Sequence, residues 1–353
     1  MNDFTQQLQG LLKTAAEQGA SDIHISPGHM PMIRIDSRLI PISGQAILDS
    51  GTTQGLVTAL IGPERQEAFK KELELDFSYT LGEHRFRVNA YHTQKGMAAG
   101  LRNIPLTIRS TEELGLPEVV KVFTKISQGF VLVVGPNGHG KSTTLASLID
   151  LINKERAEKI ITIEDPIEYI FNPQRSVIDQ RELGRDSLSF HKAIESALRQ
   201  NVNVIMVGEM RDHETMSAAV TAAETGHLVF ASLHTNSASQ TIERIIDSFP
   251  PNQQSQIRTQ LANSISGIIS QRLIPRIQGG LIPAVEVMVA TSAVRTLIRD
   301  NRAKQIDLVI ETGQDMGMIP LNRSLANLVR KNEIAIDRAE FYSTNPIEFR
   351  KLI

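Results

Sequence analysis

The chain has no cysteine and no tryptophan, and only 4 tyrosines beside 12 phenylalanines. The first absence excludes disulfides, thiolate metal sites and cysteine nucleophiles together. The shortage of aromatics leaves little from which to build a platform for stacking bases. No charge of one sign dominates either: 37 Lys and Arg stand against 39 Asp and Glu, a formal net charge of -2. No general field draws such a chain to a polyanion, and no nucleic-acid partner is expected. Long apolar runs are missing too. FVLVV and VNVIMV are far too short to cross a bilayer, and the N-terminal stretch MNDFTQQLQGLLKTAAEQGASDIHIS lacks the basic and apolar regions of a signal peptide. Any membrane contact is therefore expected to be peripheral and through a partner.

What is present is ordinary globular material, 41% hydrophobic and 22% charged over 353 residues. That length exceeds what one core usually supports, so two domains are expected. Phe4, Leu8, Leu11, Leu12 and Ala15 recur at helical spacing and predict an amphipathic helix over residues 3–18, ended by Gly19. The short alternating runs SDIHIS, MIRIDSRLIPI, DFSYTL and HRFRVNAYHT follow and read as a small antiparallel sheet, interrupted by a helix from GTTQGLVTALIG through EAFKKEL. This gives an α+β domain over residues 1–100 and a connection over 101–117. From Gly129 the rhythm changes to strands (FVLVV, KIITIED, NVIMVGEM, HLVFASLHT, PAVEVMV) alternating with helices, an α/β pattern with a mostly parallel sheet covered on both faces. This second domain is expected to span 118–353. Beyond about residue 250 the chain reads as mainly helical, with Ile257, Leu261, Ile265, Ile268, Ile269 and Leu273 in one apolar stripe and a helical part from about 290.

Between strand FVLVV and helix TLASLIDLI stands GPNGHGKST, which fits GxxxxGK[ST] in the right context. In such a loop Gly135, Pro136, Asn137, Gly138, His139, Gly140, Lys141, Ser142 and Thr143 turn backbone N–H groups inward at phosphate oxygens, and the following helix adds a favourable dipole. Lys141 then bridges the outer phosphates and the Ser142 hydroxyl holds Mg²⁺, so ATP with Mg²⁺ is the expected ligand. Carboxylates that act on a phosphate belong at the ends of neighbouring strands. Two strand ends offer them, Glu164 and Asp165 in IITIEDPIEY and Glu209 in VIMVGEMRD. His227 and His234 bracket a further strand, TGHLVFASLHT. Without HExxH or cysteine a zinc site is not expected, whereas His234 at a strand end beside the P-loop strand is placed to sense the γ-phosphate. Arg85, Arg87, Arg102 and Arg109 form a third cluster. Such arginines are usually a solvated face, but beside a nucleotide on a neighbouring subunit they act as charge-stabilising fingers.

Taken in order, ASDIHIS, RFRVN, RNIP, LVVGPNGHGKSTTLASLIDLIN, ITIEDPIEY, VGEMRD, TGHLVFASLHTNSASQTIERIIDSFP, AVRTLIRD and STNP run nearly end to end through the chain. Together they resemble the type IV pilus retraction ATPases of the secretion ATPase superfamily of hexameric motors. The resemblance implies a PAS-like N-terminal domain and a RecA-like ATPase domain, with nucleotide held between domains and a homohexameric ring. It implies that Glu209 polarises the attacking water, that Glu164 assists at the metal and water, and that His234 couples the γ-phosphate to the ring. Arg87, Arg102 and Arg109 become the candidate phosphate-reaching arginines. AVRTLIRD, with Arg295 and Leu297, corresponds to the segment that pulling requires. The implied partner is the pilus platform protein of the inner membrane, and the implied location is cytoplasmic, peripheral at the inner face of that membrane. His139 stands where the family more often has Ser, Asn201 and Asn203 where it has acids, and Lys95 where Arg is frequent. A related type II/IV secretion ATPase or accessory pilus ATPase is the alternative within the class. A nucleic-acid motor and a nucleotide-binding switch are the alternatives outside it.

Overall fold

The computed structural model describes residues 2–35, 38–104 and 107–353. Asp36 and Ser37 of the expected strand run MIRIDSRLIPI, and Pro105 and Leu106 of the expected connection, lie outside the described residues. The chain forms two compact units, residues 1–107 with 165–170, and residues 108–164 with 171–353.

The first unit opens with α1 (Asn2–Glu17). Its stripe of Leu8, Leu11, Leu12 and Ala15 is fully buried, while Phe4 lies over Gly55, where any side chain would strike its ring. Strands β1 (Asp22–Ile25), β2 (Met32–Ile35) and β3 (Arg38–Pro41) follow, then α2 (Ser50–Ile61), α3 (Gln66–Glu72), β4 (Glu74–Leu81), β5 (His84–Thr93) and β6 (Gly96–Ile104). The expected single helix is two. Gly62, at φ +73°, closes α2, and Pro63 restarts the chain in another direction. The strands make one antiparallel sheet in the order β3-β2-β1-β6-β5-β4. Its inward residues, among them Ile23, Ile33, Phe77, Phe86, Val88 and Leu101, meet the apolar faces of α1 and α2. β6 continues to Ile104, so the boundary expected near residue 100 falls inside a strand.

In the second unit α4 (Val122–Lys125) precedes β7 (Gly129–Val134), α5 (Lys141–Glu155), β8 (Lys159–Glu164), β9 (Val177–Glu182), α6 (Phe190–Ala197), β10 (Val204–Val207) and α7 (His213–Glu224). Then come β11 (Leu228–Leu233), α8 (Ala238–Asp247), α9 (Pro251–Ser264), β12 (Ile265–Pro275), β13 (Leu281–Val289) and the helices α10 (Ser292–Arg299), α11 (Ile306–Thr312), α12 (Leu321–Arg330), α13 (Ile336–Tyr342) and α14 (Pro346–Lys351). The seven strands run in the order β13-β12-β7-β11-β10-β8-β9, parallel throughout except for β13. Every residue of β7, β10 and β11 is buried, as strands covered by helices on both faces require.

The apolar stripe beyond residue 250 is not one helix. Ile257 and Leu261 do lie on α9, but the chain passes directly into β12 at Ile265. Ile265, Ile268 and Ile269 are β-branched and fully buried, with β7 on one side and β13 on the other. Lateral pairing therefore overrides a spacing that also fits a helix. α12, α13 and α14 pack on the far ends of β12 and β13 around Ile274, Ile282, Leu325 and Phe349.

Candidate functional site

Parallel strands bring their carboxyl ends to one edge, where open α/β sheets bind ligands. The loop after β7, His234 after β11, Glu209 after β10 and Glu164 at the end of β8 meet there.

The loop 135–140 curls because glycine allows it. Gly135 has φ +151° and its missing Cβ would sit 2.3 Å from the Gln271 carbonyl oxygen. Gly140, at φ +79°, is the N-cap of α5 and packs against the Gln271 amide. It brings no side chain to the first turn of α5, whose N–H groups then suit an anion. Lys141 is buried, and its ammonium donates to the carbonyls of Gly135 (2.9 Å) and Pro136 (3.0 Å), so the loop folds around its own cation. Ser142 is exposed at the start of the helix.

The same ammonium lies 3.1 Å from His234 Nδ1. An ammonium only donates, so Nδ1 must accept, and Nε2 carries the proton that it donates to Glu209 Oε1 at 2.9 Å. The other Glu209 oxygen accepts from Arg211 Nε at 3.1 Å. Lys141, His234, Glu209 and Arg211 thus form one continuous polar chain across three strand ends. Glu164 is buried beside it, and its Oε1 accepts from Thr162 Oγ1 (2.7 Å) and Gln180 Nε2 (3.2 Å). Gly208, the residue before Glu209, packs directly on the end of β8. Its N–H donates to the Ile163 carbonyl, and a Cβ there would sit 3.4 Å from Glu164 Cα.

β12 holds the loop from the other side. Buried Gln271 donates from Nε2 to the His139 carbonyl (2.8 Å) and accepts from Thr144 Oγ1 (2.7 Å), tying the loop to the first turn of α5. The Leu273 N–H donates to His139 Nδ1 at 2.9 Å, which requires a neutral imidazole. Burial, with Arg272 and Lys141 nearby, holds the His139 pKa below its ordinary value and favours that form. Gln271, Leu273 and Arg211 escape a reading of the sequence. Gln271 lies 132 residues from His139, and the only trace it leaves is a polar pair, Gln271 and Arg272, inside an apolar run.

The three candidate arginines are placed separately. Arg87 on β5 pairs with Glu168 at 3.1 Å, and Arg102, opposite it on β6, pairs with Asp22 at 3.1 Å, all within the first unit. Arg109 is exposed in coil at the start of the second unit. Arg85 is buried and donates to the Ile167 carbonyl and the hydroxyls of Ser78 and Thr80. In the second unit, Arg295 on α10 donates to the carbonyls of Ala262 (2.7 Å) and Asn263 (2.6 Å) at the end of α9, and Leu297 packs against the core. His227 Nδ1 lies 3.0 Å from the Ala222 carbonyl, a local contact at the end of α7. No helix among the described residues is long and apolar enough to cross a membrane.

A glycine-rich loop between β7 and α5, a lysine at the first position of α5 and two acids on adjacent strand ends define a P-loop nucleotide-binding protein of the RecA-like α/β class. Within that class, the chain belongs to the family described as Type II/IV secretion system protein, which matches residues 3–305. It is 43% identical over 340 residues to the type IV pilus retraction ATPase PilT of Pseudomonas aeruginosa, covering 96% of this chain and 98% of that one. It is 43% identical over 339 residues to a twitching motility protein of Neisseria gonorrhoeae, covering 95% of this chain and 90% of the other. Among solved structures it is similar to the pilus retraction motor PilT with bound ADP, at a TM-score of 0.89 and 41% identity, covering 97% and 98% of the two chains.

Proposed function

We propose that this protein is an ATPase that powers type IV pilus retraction, working as a homohexamer on the pilus platform protein at the cytoplasmic face of the inner membrane. The polar chain from Lys141 through His234 to Glu209 is the observation that carries the reading. In it a phosphate-binding cation, a histidine and a carboxylate at a strand end are already joined by hydrogen bonds.

Each residue then has a physical task. The loop Gly135–Thr143 wraps the phosphates of ATP with backbone N–H groups. Lys141 exchanges the carbonyls of Gly135 and Pro136 for phosphate oxygens, which releases His234 from its ammonium partner and makes the histidine responsive to nucleotide. Glu209 orients and polarises the attacking water. Ser142 and Glu164 supply hard oxygen donors of the kind Mg²⁺ takes. An Mg²⁺ ion held there by Ser142 and Glu164 would supply positive charge to offset that of the transferring phosphoryl group. Arg87, Arg102 and Arg109 are the candidate arginines for that charge once subunits assemble, with residues 1–100 as the PAS-like domain, 101–117 as connection and 118–353 as the motor domain. No nucleic acid takes part.

The test is live imaging of labelled pili in cells whose only copy carries Glu209→Gln, paired with assays of the purified variant. Pili are expected to extend and not retract, while the variant still binds ATP and hydrolyses it about a hundredfold or more slowly. Retraction at the wild-type rate would sink the proposal.

A further inference from the structure

Glu286 takes no part in the steps above. It lies on β13 opposite Ser270 of β12, and Ser270 in turn lies opposite Val134, the last residue of β7 before the phosphate loop. Its Oε1 accepts from the Ala238 N–H at 2.8 Å and from Ser270 Oγ at 3.2 Å. Ala238 is the first residue of α8, and only Thr235, Asn236 and Ser237 separate it from His234.

That short turn is otherwise tied to itself. Ser237 caps Gln240, Thr241 donates to the Ser237 carbonyl, Thr235 meets Thr241, and the Asn236 N–H donates to Gln240. Among the described residues these side-chain bonds all close within residues 235–241. The Glu286 carboxylate ties the turn to another element, and a carboxylate at a helix N-terminus is doubly suited to this. It accepts an N–H that no helical carbonyl can reach, and it meets the positive end of the helix dipole. Ser270 carries the connection one residue further, to Gln271, which grips the loop.

We propose that Glu286 is a positioning residue for ATP hydrolysis. It anchors the turn after β11 and so keeps the His234 ring where its Nε2–H reaches Glu209, including after Lys141 has turned to phosphate. This rests on the reading of His234 and Glu209 given above. Anchoring needs an acceptor at Oε1 rather than a charge, so glutamine should serve where alanine does not.

The experiment measures ATP turnover and the binding of a non-hydrolysable ATP analogue for the full chain. It compares wild type with Glu286→Ala, Glu286→Gln, His234→Ala and the Glu286→Ala/His234→Ala double variant. Glu286→Ala is expected to lower kcat about tenfold or more, as a small displacement of a reacting group does, at unchanged analogue affinity. Glu286→Gln is expected to restore kcat, and the double variant to be no slower than His234→Ala alone, because the two act through one contact. If the alanine variant does not fold, Glu286→Asp replaces it, since the shorter side chain withdraws the acceptor. Wild-type kcat in the alanine or aspartate variant beside a slow His234→Ala overturns the anchoring role and leaves the site intact. Additive losses in the double variant also overturn it. Wild-type kcat in His234→Ala overturns both readings, by removing the residue through which Glu286 acts.

Discussion

At the scale of single residues, His139 and Glu286 make opposite predictions about acidity. His139 accepts the Leu273 N–H only while neutral, and its pKa lies below the ordinary value. Acidification below that lowered pKa protonates Nδ1, cancels the bond and frees the loop tip, so nucleotide affinity should fall as pH falls. His139→Ser should flatten that fall in a titration of ATP-analogue binding against pH. Glu286 is shifted the other way. Burial is the main cause and Asp307 adds to it, while the Ala238 N–H, Ser270 and Arg272 oppose it, and its pKa is pushed up to about 7. The folded chain therefore holds this proton more tightly than the unfolded one. Stability is greatest below the unfolded value of 4.5 and is lost as pH rises through about 7. Glu286→Gln should remove that loss, which melting curves at pH 5 and pH 8 would reveal as a smaller difference than in wild type.

Legibility also divides at this scale. Gly135 to Thr143 are readable because the whole device is local, one strand, one loop and one helix. Gln271 and Glu286 are not, since their partners lie 132 and 48 residues away and neither stands in a motif of its own.

At the scale of elements, strands announce themselves when both faces are buried. β7, β10 and β11 are continuous apolar runs, and helical crossovers between them leave a parallel sheet as the natural reading. β9 fails that test, because VIDQRE is an edge strand whose last four residues are polar and whose Val177 is exposed, and only lateral pairing with β8 extends it. β12 fails in another way, since its isoleucines continue the helical spacing of α9 and the choice is made by β7 and β13. The junction of α9 with β12 is held from outside by Arg295, whose guanidinium takes the last carbonyls of α9 in place of the missing helical donors. Arg295→Ala should therefore destabilise the second unit. Loss of a charged hydrogen bond costs about 1.5–3 kcal/mol, which for a unit of this size lowers Tm by about 3–12 °C, readable by calorimetry. An unchanged Tm would mean that Arg295 is not a clamp.

At the scale of the whole molecule, each unit carries its own core, and the two cores are built on different sheets, one antiparallel and one mostly parallel. The antiparallel unit contains no P-loop, so its proposed part in turnover is to bring arginines to a nucleotide bound by the other kind of unit. If subunits assemble as proposed, ATP hydrolysis per chain should fall on dilution as rings come apart, and light scattering of the active fraction should report six chains. A fully active monomer would contradict the assembly.

The six residues 165–170 interrupt the second unit's sequence between β8 and β9, yet belong by contact to the first. Arg85, buried in the first unit, spends two of its donors on the carbonyl of Ile167 in that segment. Any chimera that exchanges the N-terminal unit with a relative's therefore needs two grafts, one ending near residue 107 and one spanning 165–170. A single splice near residue 107 would replace Arg85 with the relative's residue and leave it facing the native Ile167 carbonyl, and a buried donor or acceptor that loses its partner is costly.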